Sequence, residues 1–348
     1  MRDPAIASPS PLRPRRLGYV TRPMAPQSPK RRWLVAASAP VLLTLVYFAG
    51  PVYRIDETVT PVQVPQTPAV LDAYLAANEQ RHPDIVPGAE KTIVWAHPDR
   101  RKTALSIIYL HGFSASRQEV APLCDELGAQ LGANVFYTRL AGHGRNPQAM
   151  GQVQGNEWLQ DATEALAIGR ELGERVIVVG TSTGGTLALW LAQRDPARIA
   201  ALVLISPNLG PRGAGAELLA GPWGAQVLRA VMGSEHRWQP ANPAQARYWN
   251  WQYPSDALLP MMALVKLVRD SPLEAITTPT LVLYSPQDQV VEPEQTERAF
   301  ARLGAKDKRL QAVNGSADRS SHVLAGDILA ARDTARVRAW ITAFLETR

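Results

Sequence analysis

The chain of 348 residues has a single cysteine, Cys124, which excludes an intramolecular disulfide framework and any cysteine-rich metal centre. Net charge is also lacking outside one segment. Residues 1–32 hold eight of the 37 basic residues and one of the 31 acidic ones, leaving 29 bases against 30 acids in the remainder. A nucleic-acid reader carries its basic face on the folded domain. Here the excess lies in a Pro-rich tail that cannot build a core, so nucleic acid is excluded as a partner. Two further absences concern the stretch "VIVVGTSTGGTLALWLA" (176–192). No lysine follows Gly184-Gly185, which excludes a phosphate loop, and Gly180-Thr181-Ser182 breaks the dinucleotide spacing Gly-x-Gly-x-x-Gly.

What is present describes a globular protein, with 46% hydrophobic and 20% charged residues. After the basic tail, "WLVAASAPVLLTLVYFAGPVY" (33–53) runs for 21 residues without a charge. A bilayer core takes roughly 20 apolar residues in a helix, and basic residues ahead of the run match the positive-inside rule. The expectation is a single transmembrane helix over 33–53, with everything after Tyr53 on the extracytoplasmic side. A cleaved signal peptide is the rival, although Tyr47 or Phe48 falls where a small residue belongs. "RRWLV" is a weak twin-arginine match. Residues 54–90 read as a connector holding one short amphipathic helix.

From Lys91 the pattern changes. Short apolar or β-branched runs at 92–97, 105–111, 134–140, 175–180, 199–206, 280–285 and 309–314 predict strands. Helical patterns at 116–132, 157–173, 294–304 and about 328–346 lie between or after them. Alternation of this kind predicts an α/β fold with a mostly parallel sheet and helices on both faces. One crossover is far longer than the others. Residues 207–279 contain Trp223, Trp238, Trp249 and Trp251, and they start and finish at the carboxyl edge of the sheet, where open parallel sheets bind ligands. They predict a cap.

Gly180, Thr181, Ser182, Thr183 and Gly184 match Gly-x-Ser-x-Gly between a strand and a helix, the setting of a nucleophile elbow. A serine hydroxyl needs a base, and the base needs an orienting acid. Of six histidines, His322 follows the last strand and precedes the last helix, at the same sheet edge as Ser182. His111 and His143, in glycine-containing loops, read as turn braces. For the acid, Asp288 directly follows the penultimate strand, with Glu292, Asp318 and Asp327 as alternatives. The order Ser182, Asp288, His322 is the order expected for an elbow-bearing hydrolase. Backbone N–H groups of Phe113, in the turn after "YLHG", and Thr183, after the serine, are the expected oxyanion donors.

Through "LHGF" (110–113), "LAGHG" (140–144), "EWLQD" (157–161), "GTSTGG" (180–185), "SPQDQVV" (285–291) and "SSHV" (320–323), the chain resembles an α/β-hydrolase from Lys91 onward. It is most similar to the bacterial carboxylesterase and monoacylglycerol-lipase branch, sometimes grouped with serine aminopeptidases. The resemblance implies an α/β-hydrolase domain over 91–348 with its cap at 207–279. It also implies a Ser182–His322–Asp288 triad, and a small-molecule ester substrate with an apolar acyl or alcohol group. No metal or cofactor is implied. Thr181 and Thr183 depart from the His or Leu and the Met or Leu common in relatives, which weakens a long-chain lipid substrate. A peptidase, thioesterase or acyltransferase would use the same residues, and a non-catalytic binding protein would share the fold.

Overall fold

The computed structural model describes residues 40–213 and 215–346. The predicted strand runs become β1 (Thr92–Val94), β2 (Thr103–Leu110), β3 (Asn134–Tyr137), β4 (Gly173–Thr181) and β5 (Ile199–Ile205). Two more, β6 (Glu235–Arg237) and β7 (Gln252–Pro254), lie in the long crossover, and β8 (Thr280–Tyr284) and β9 (Lys308–Ala312) complete the core. Seven strands form one sheet in the order β1-β3-β2-β4-β5-β8-β9. Within it, β1 alone runs antiparallel to its neighbour.

Among the described residues, ten helices flank or cap this sheet: α1 (Leu71–Glu79), α2 (Leu123–Leu131), α3 (Pro147–Met150), α4 (Asn156–Leu172), α5 (Thr183–Arg194), α6 (Gly224–Met232), α7 (Pro243–Tyr248), α8 (Leu258–Arg269), α9 (Pro293–Arg302) and α10 (Ala331–Leu345). The period of two along β2 divides the core. Ile108 and Leu110 face one apolar layer, with Trp158, Leu187 and Ala299 from α4, α5 and α9. Ile107 and Tyr109 face the other, with Leu123, Leu127 and Phe344 from α2 and α10. Strands buried on both faces have no use for polar alternation, and so read as continuous apolar runs. In α4 the buried positions Trp158, Ala162, Ala165, Gly169 and Leu172 step by four and three, which places one stripe against the sheet. Each large apolar side chain fully buried here contributes about 1.5–3 kcal/mol.

The expected transmembrane helix over 33–53 is not found among the described residues. The chain divides into one unit ending at Phe48 and another starting at Ala49. Within the first, helix is described over 40–48 and ends there. Among the described residues no helix is long and apolar enough to cross a membrane. The stop is chemical. Pro51 has no N–H to continue the ladder, and the residue before a proline is pushed out of the helical region. Beyond it the run belongs to the folded unit: Pro51 O accepts from Trp223 N at 2.9 Å, and Tyr53 Oη donates to Gln154 O at 2.8 Å. Residues 33–39 and the basic tail 1–32, on which the extracytoplasmic expectation also rests, lie outside the described residues.

Residues 51–90 lie along the core built on the seven-stranded sheet. Glu57 accepts from Trp190 Nε1 and from Arg194 Nη1, each at 3.1 Å. Thr60 and Gln160 exchange two hydrogen bonds of 2.8 and 2.9 Å. Glu79 takes the guanidinium of the buried Arg139 at 2.8 and 2.9 Å. Lys91, nine-tenths buried, pairs with Asp161 at 3.3 Å and with Glu164.

Candidate active site

The parallel strands deliver the predicted residues to one edge. Ser182 follows β4, Phe113 follows β2, and Asp288 and His322 lie beyond β8 and β9. At Ser182 the backbone takes φ 51° and ψ −119°, a region costly for any residue with a Cβ, and one that strained functional turns occupy. The turn is held from both sides. Ser182 N donates to Ile205 O at 2.9 Å, and Ser182 O accepts from Asn208 N at 3.0 Å.

The flanking glycines are required by close approach. A Cβ on Gly180 would sit 2.4 Å from Gly184 O, and one on Gly184 would sit 1.9 Å from Leu110 O. Gly184→Ala therefore has to push β2 away from α5. It is expected to cost more than about 4 kcal/mol, or to lower Tm by roughly 10 °C or more. Thermal unfolding beside wild type reads this directly. An unchanged Tm would show that the turn is not packed as described.

His322 Nδ1 lies 2.8 Å from Asp288 Oδ2. A carboxylate only accepts, so Nδ1 carries the proton and Nε2 is left as the basic nitrogen. The other Asp288 oxygen accepts from Val290 N and Val291 N at 2.7 and 3.0 Å, which fixes the carboxylate in its turn. Burial pushes the imidazole toward its neutral form. The Asp288 charge and hydrogen bond, with Glu119 and Asp318 behind them, outweigh that and hold its pKa above the ordinary value of 6.5.

The alternative acids have other places. Asp318 Oδ2 accepts from His322 N and Val323 N, both at 3.0 Å, and from Ser320 Oγ, so it clasps the histidine loop from behind. Glu292 precedes α9 without a side-chain capping bond and lies 4.0 Å from Arg212. Asp327 donates its backbone N–H to Ala121 O. Gln289 N reaches Ser320 O at 2.9 Å and stitches the acid loop to the histidine loop.

The other buried histidines brace turns. His111 Nε2 accepts from Leu140 N at 3.1 Å and Nδ1 donates to Gly112 O at 2.9 Å, a neutral ring whose burial holds its pKa far below the usual value. His143 donates to Ala141 O at 2.9 Å, and burial pushes it down to about 4. His236 packs on Tyr253 in the cap, with ring centroids 5.2 Å apart.

Phe113 and Thr183 present backbone N–H groups that make no hydrogen bond among the described residues. Thr183 is the first residue of α5, where helix N–H groups are unpaired and the dipole favours negative charge. Ser182, His322 and Phe113 line one cavity of about 650 Å³ that Trp238, Trp249 and Tyr253 of the crossover roof. A second cavity of about 360 Å³ shares Pro211, Leu258 and Met261 with it, and is otherwise walled by residues such as Leu218, Val231 and Met262. None of its lining side chains bears a charge or a hydrogen-bonding N or O. Among the described residues no cluster of His, Cys, Asp or Glu has the form of a metal site.

One site residue escapes sequence reasoning. Glu119 is 3% exposed and lines the larger cavity. Its signal is ambiguous because Ser116-x-x-Glu119 reads as a capping box that would turn the carboxylate toward a helix end.

Residues 101–317 match the family model described as "Serine aminopeptidase, S33". A thermostable monoacylglycerol lipase from Bacillus sp. is 26% identical over 212 residues, covering 61% of this chain and 82% of that one. The lipase LipV of Mycobacterium tuberculosis is 31% identical over 172 residues, covering 38% and 63%. Among solved structures, one from the metagenome-derived lipolytic enzymes LipS and LipT superposes with a TM-score of 0.61 at 22% identity, covering 75% and 99%. The monoacylglycerol lipase of Paleococcus ferrophilus gives 0.56 at 20%, covering 73% and 99%, and at these identities the likeness is one of fold. With the family model matched across most of the hydrolase core, the chain belongs to the serine aminopeptidase S33 family of α/β-hydrolases.

Proposed function

We propose that the protein is a serine hydrolase that cleaves carboxylic esters through an acyl-enzyme. One observation carries the reading: Ser182 on its strained turn, and His322 bonded to Asp288 at 2.8 Å, open onto the same cavity. Ser182 Oγ attacks the ester carbonyl carbon while His322 Nε2 takes its proton. The oxyanion is received by the N–H groups of Phe113 and Thr183. Collapse breaks the C–O bond, and His322 returns the proton to the departing alcohol. Water then repeats the sequence on the acyl-enzyme and frees the acid. Fluorophosphonate labelling of purified protein tests this, since absence of label on Ser182 would overturn it.

The apolar second cavity supports an ester whose acyl or alcohol part is a hydrocarbon chain, as in the lipases the chain resembles. An aminopeptidase would need a free acid to receive a substrate ammonium group. The carboxylates lining the larger cavity, Glu119 and Asp318, are already bonded to protein N–H and O–H groups. Burying a methylene is worth about 0.8 kcal/mol, so kcat/KM on p-nitrophenyl esters should rise roughly fourfold per added CH₂ until the cavity is full. Leu218→Trp partly fills that space and is expected to lower kcat/KM for an octanoate ester roughly tenfold more than for an acetate. Equal losses on both esters would place the hydrocarbon chain elsewhere.

A further inference from the structure

Glu119 is a buried carboxylate with no part in the cycle just described. Its Oε2 accepts from Gly112 N and from Tyr109 Oη, both at 2.8 Å. The same phenol oxygen is 3.0 Å from Thr181 Oγ1, and Thr181 is the residue before Ser182. A Cβ placed on Gly112 would lie 2.7 Å from Glu119 Oε1 and 3.2 Å from Ser182 Cβ, so Gly112 is pressed between the acid and the serine. Phe113, whose N–H is read as an oxyanion donor, comes next in the chain. Thus one carboxylate ties the turn carrying one donor to the turn carrying the serine and the other donor.

A packing role alone does not call for an acid here. Burying a carboxylate costs several kcal/mol unless good hydrogen bonds receive it. Burial is also the main reason its pKa is raised, against the opposing pull of Gly112 N–H, Tyr109 and His322. An apolar residue of similar volume would avoid that cost and would leave Gly112 N–H free to tilt. An oxyanion donor counts only when aimed at the oxygen that forms in the transition state, so loop alignment acts on kcat more than on ground-state binding.

We propose that Glu119 is a positioning residue that aligns the Gly112–Phe113 turn with the nucleophile turn, through Tyr109 and Thr181. This rests on the ester-hydrolase reading. It also explains the polar residue before the serine, because Thr181 supplies the hydroxyl that meets Tyr109, which the His or Leu of relatives would not supply in this form.

The test is a set of three variants assayed on p-nitrophenyl butyrate with Tm recorded for each. Glu119→Gln keeps an acceptor at full reach, whereas Glu119→Asp keeps the charge but falls one methylene short. Glu119→Ala removes both. Expected are kcat losses of roughly tenfold for Asp and 10- to 100-fold for Ala, with KM little changed and kcat for Gln within a few-fold of wild type. His322 is faced by Asp288, Glu119 and Asp318, all of which raise its pKa. Glu119→Gln should therefore move the acid limb of kcat/KM to lower pH, and Glu119→Asp should leave it in place.

The reverse ranking, Asp active and Gln impaired, would make the role one of charge and overturn the proposal. Wild-type kcat in both Ala and Asp variants would overturn it as well. If Glu119→Ala does not fold, the Gln–Asp contrast still decides. A wild-type protein without esterase activity would instead overturn the ester reading.

Discussion

Ser182→Ala is expected to lower kcat on short p-nitrophenyl esters by about 10⁶-fold, to abolish fluorophosphonate labelling, and to leave Tm essentially unchanged. The size follows from what is removed: without Oγ no acyl-enzyme forms. The oxyanion donors and the cavity remain, so a residue of rate enhancement over water persists, of order 10³–10⁴. The fold is spared because alanine keeps the Cβ, and hence the same strain at φ 51°. The hydrogen bonds that hold the turn are made by backbone atoms that alanine also has. Ester hydrolysis at wild-type rate in this variant would remove Ser182 from the mechanism, whatever its geometry.

Asp288→Asn is expected to lower kcat by about 10⁴-fold. An asparagine amide can turn its N–H₂ toward Nδ1, which draws the imidazole into the wrong tautomer and points an N–H at the serine. Its pH dependence provides a second readout. The base acts as neutral imidazole, so wild-type kcat/KM should rise with pH along a limb lying above 6.5, because the pKa of His322 is raised. Burial lowers that pKa, and the Asp288 charge and hydrogen bond are the foremost influences raising it. Without them the limb should shift to lower pH, even as its plateau collapses. A profile measured between about pH 5 and 9 decides the sign. A shift to higher pH, or none, would mean that Asp288 does not govern the titration of His322.

How much was legible depends on the length scale of the signal. The sheet could be read because strands buried on both faces must be apolar throughout, and "RVIVVG" or "IAALVLIS" has few other ways to fold. Ser182, Asp288 and His322 could be placed at one sheet edge because each follows a strand, and parallel strands bring their carboxyl ends together. Glu119 could not, since its partners come from two strand ends, Tyr109 and Gly112 at the end of β2 and Thr181 at the end of β4, and only tertiary packing assembles them. The 33–53 run misled for a different reason. Hydropathy counts charges over a window and is blind to Gly50-Pro51, which breaks the helix and turns the last residues onto the folded unit.

The strip over 51–90 sets where this domain begins. By the usual logic of domain borders, a fragment opened at Lys91 would retain every strand and every residue of the site. It would also strand Arg139, 4% exposed, whose carboxylate partner Glu79 would be gone. An uncompensated buried charge costs about 3–5 kcal/mol, a large share of what a domain has to lose. The damage would not stay local. Arg139 Nη1 also holds His143 O at 3.3 Å, and the His143 ring packs edge-on against Phe113 at 5.7 Å. The first residues of the folded unit thus act as a girdle on the back of the active site, and the natural border for excision lies at Ala49.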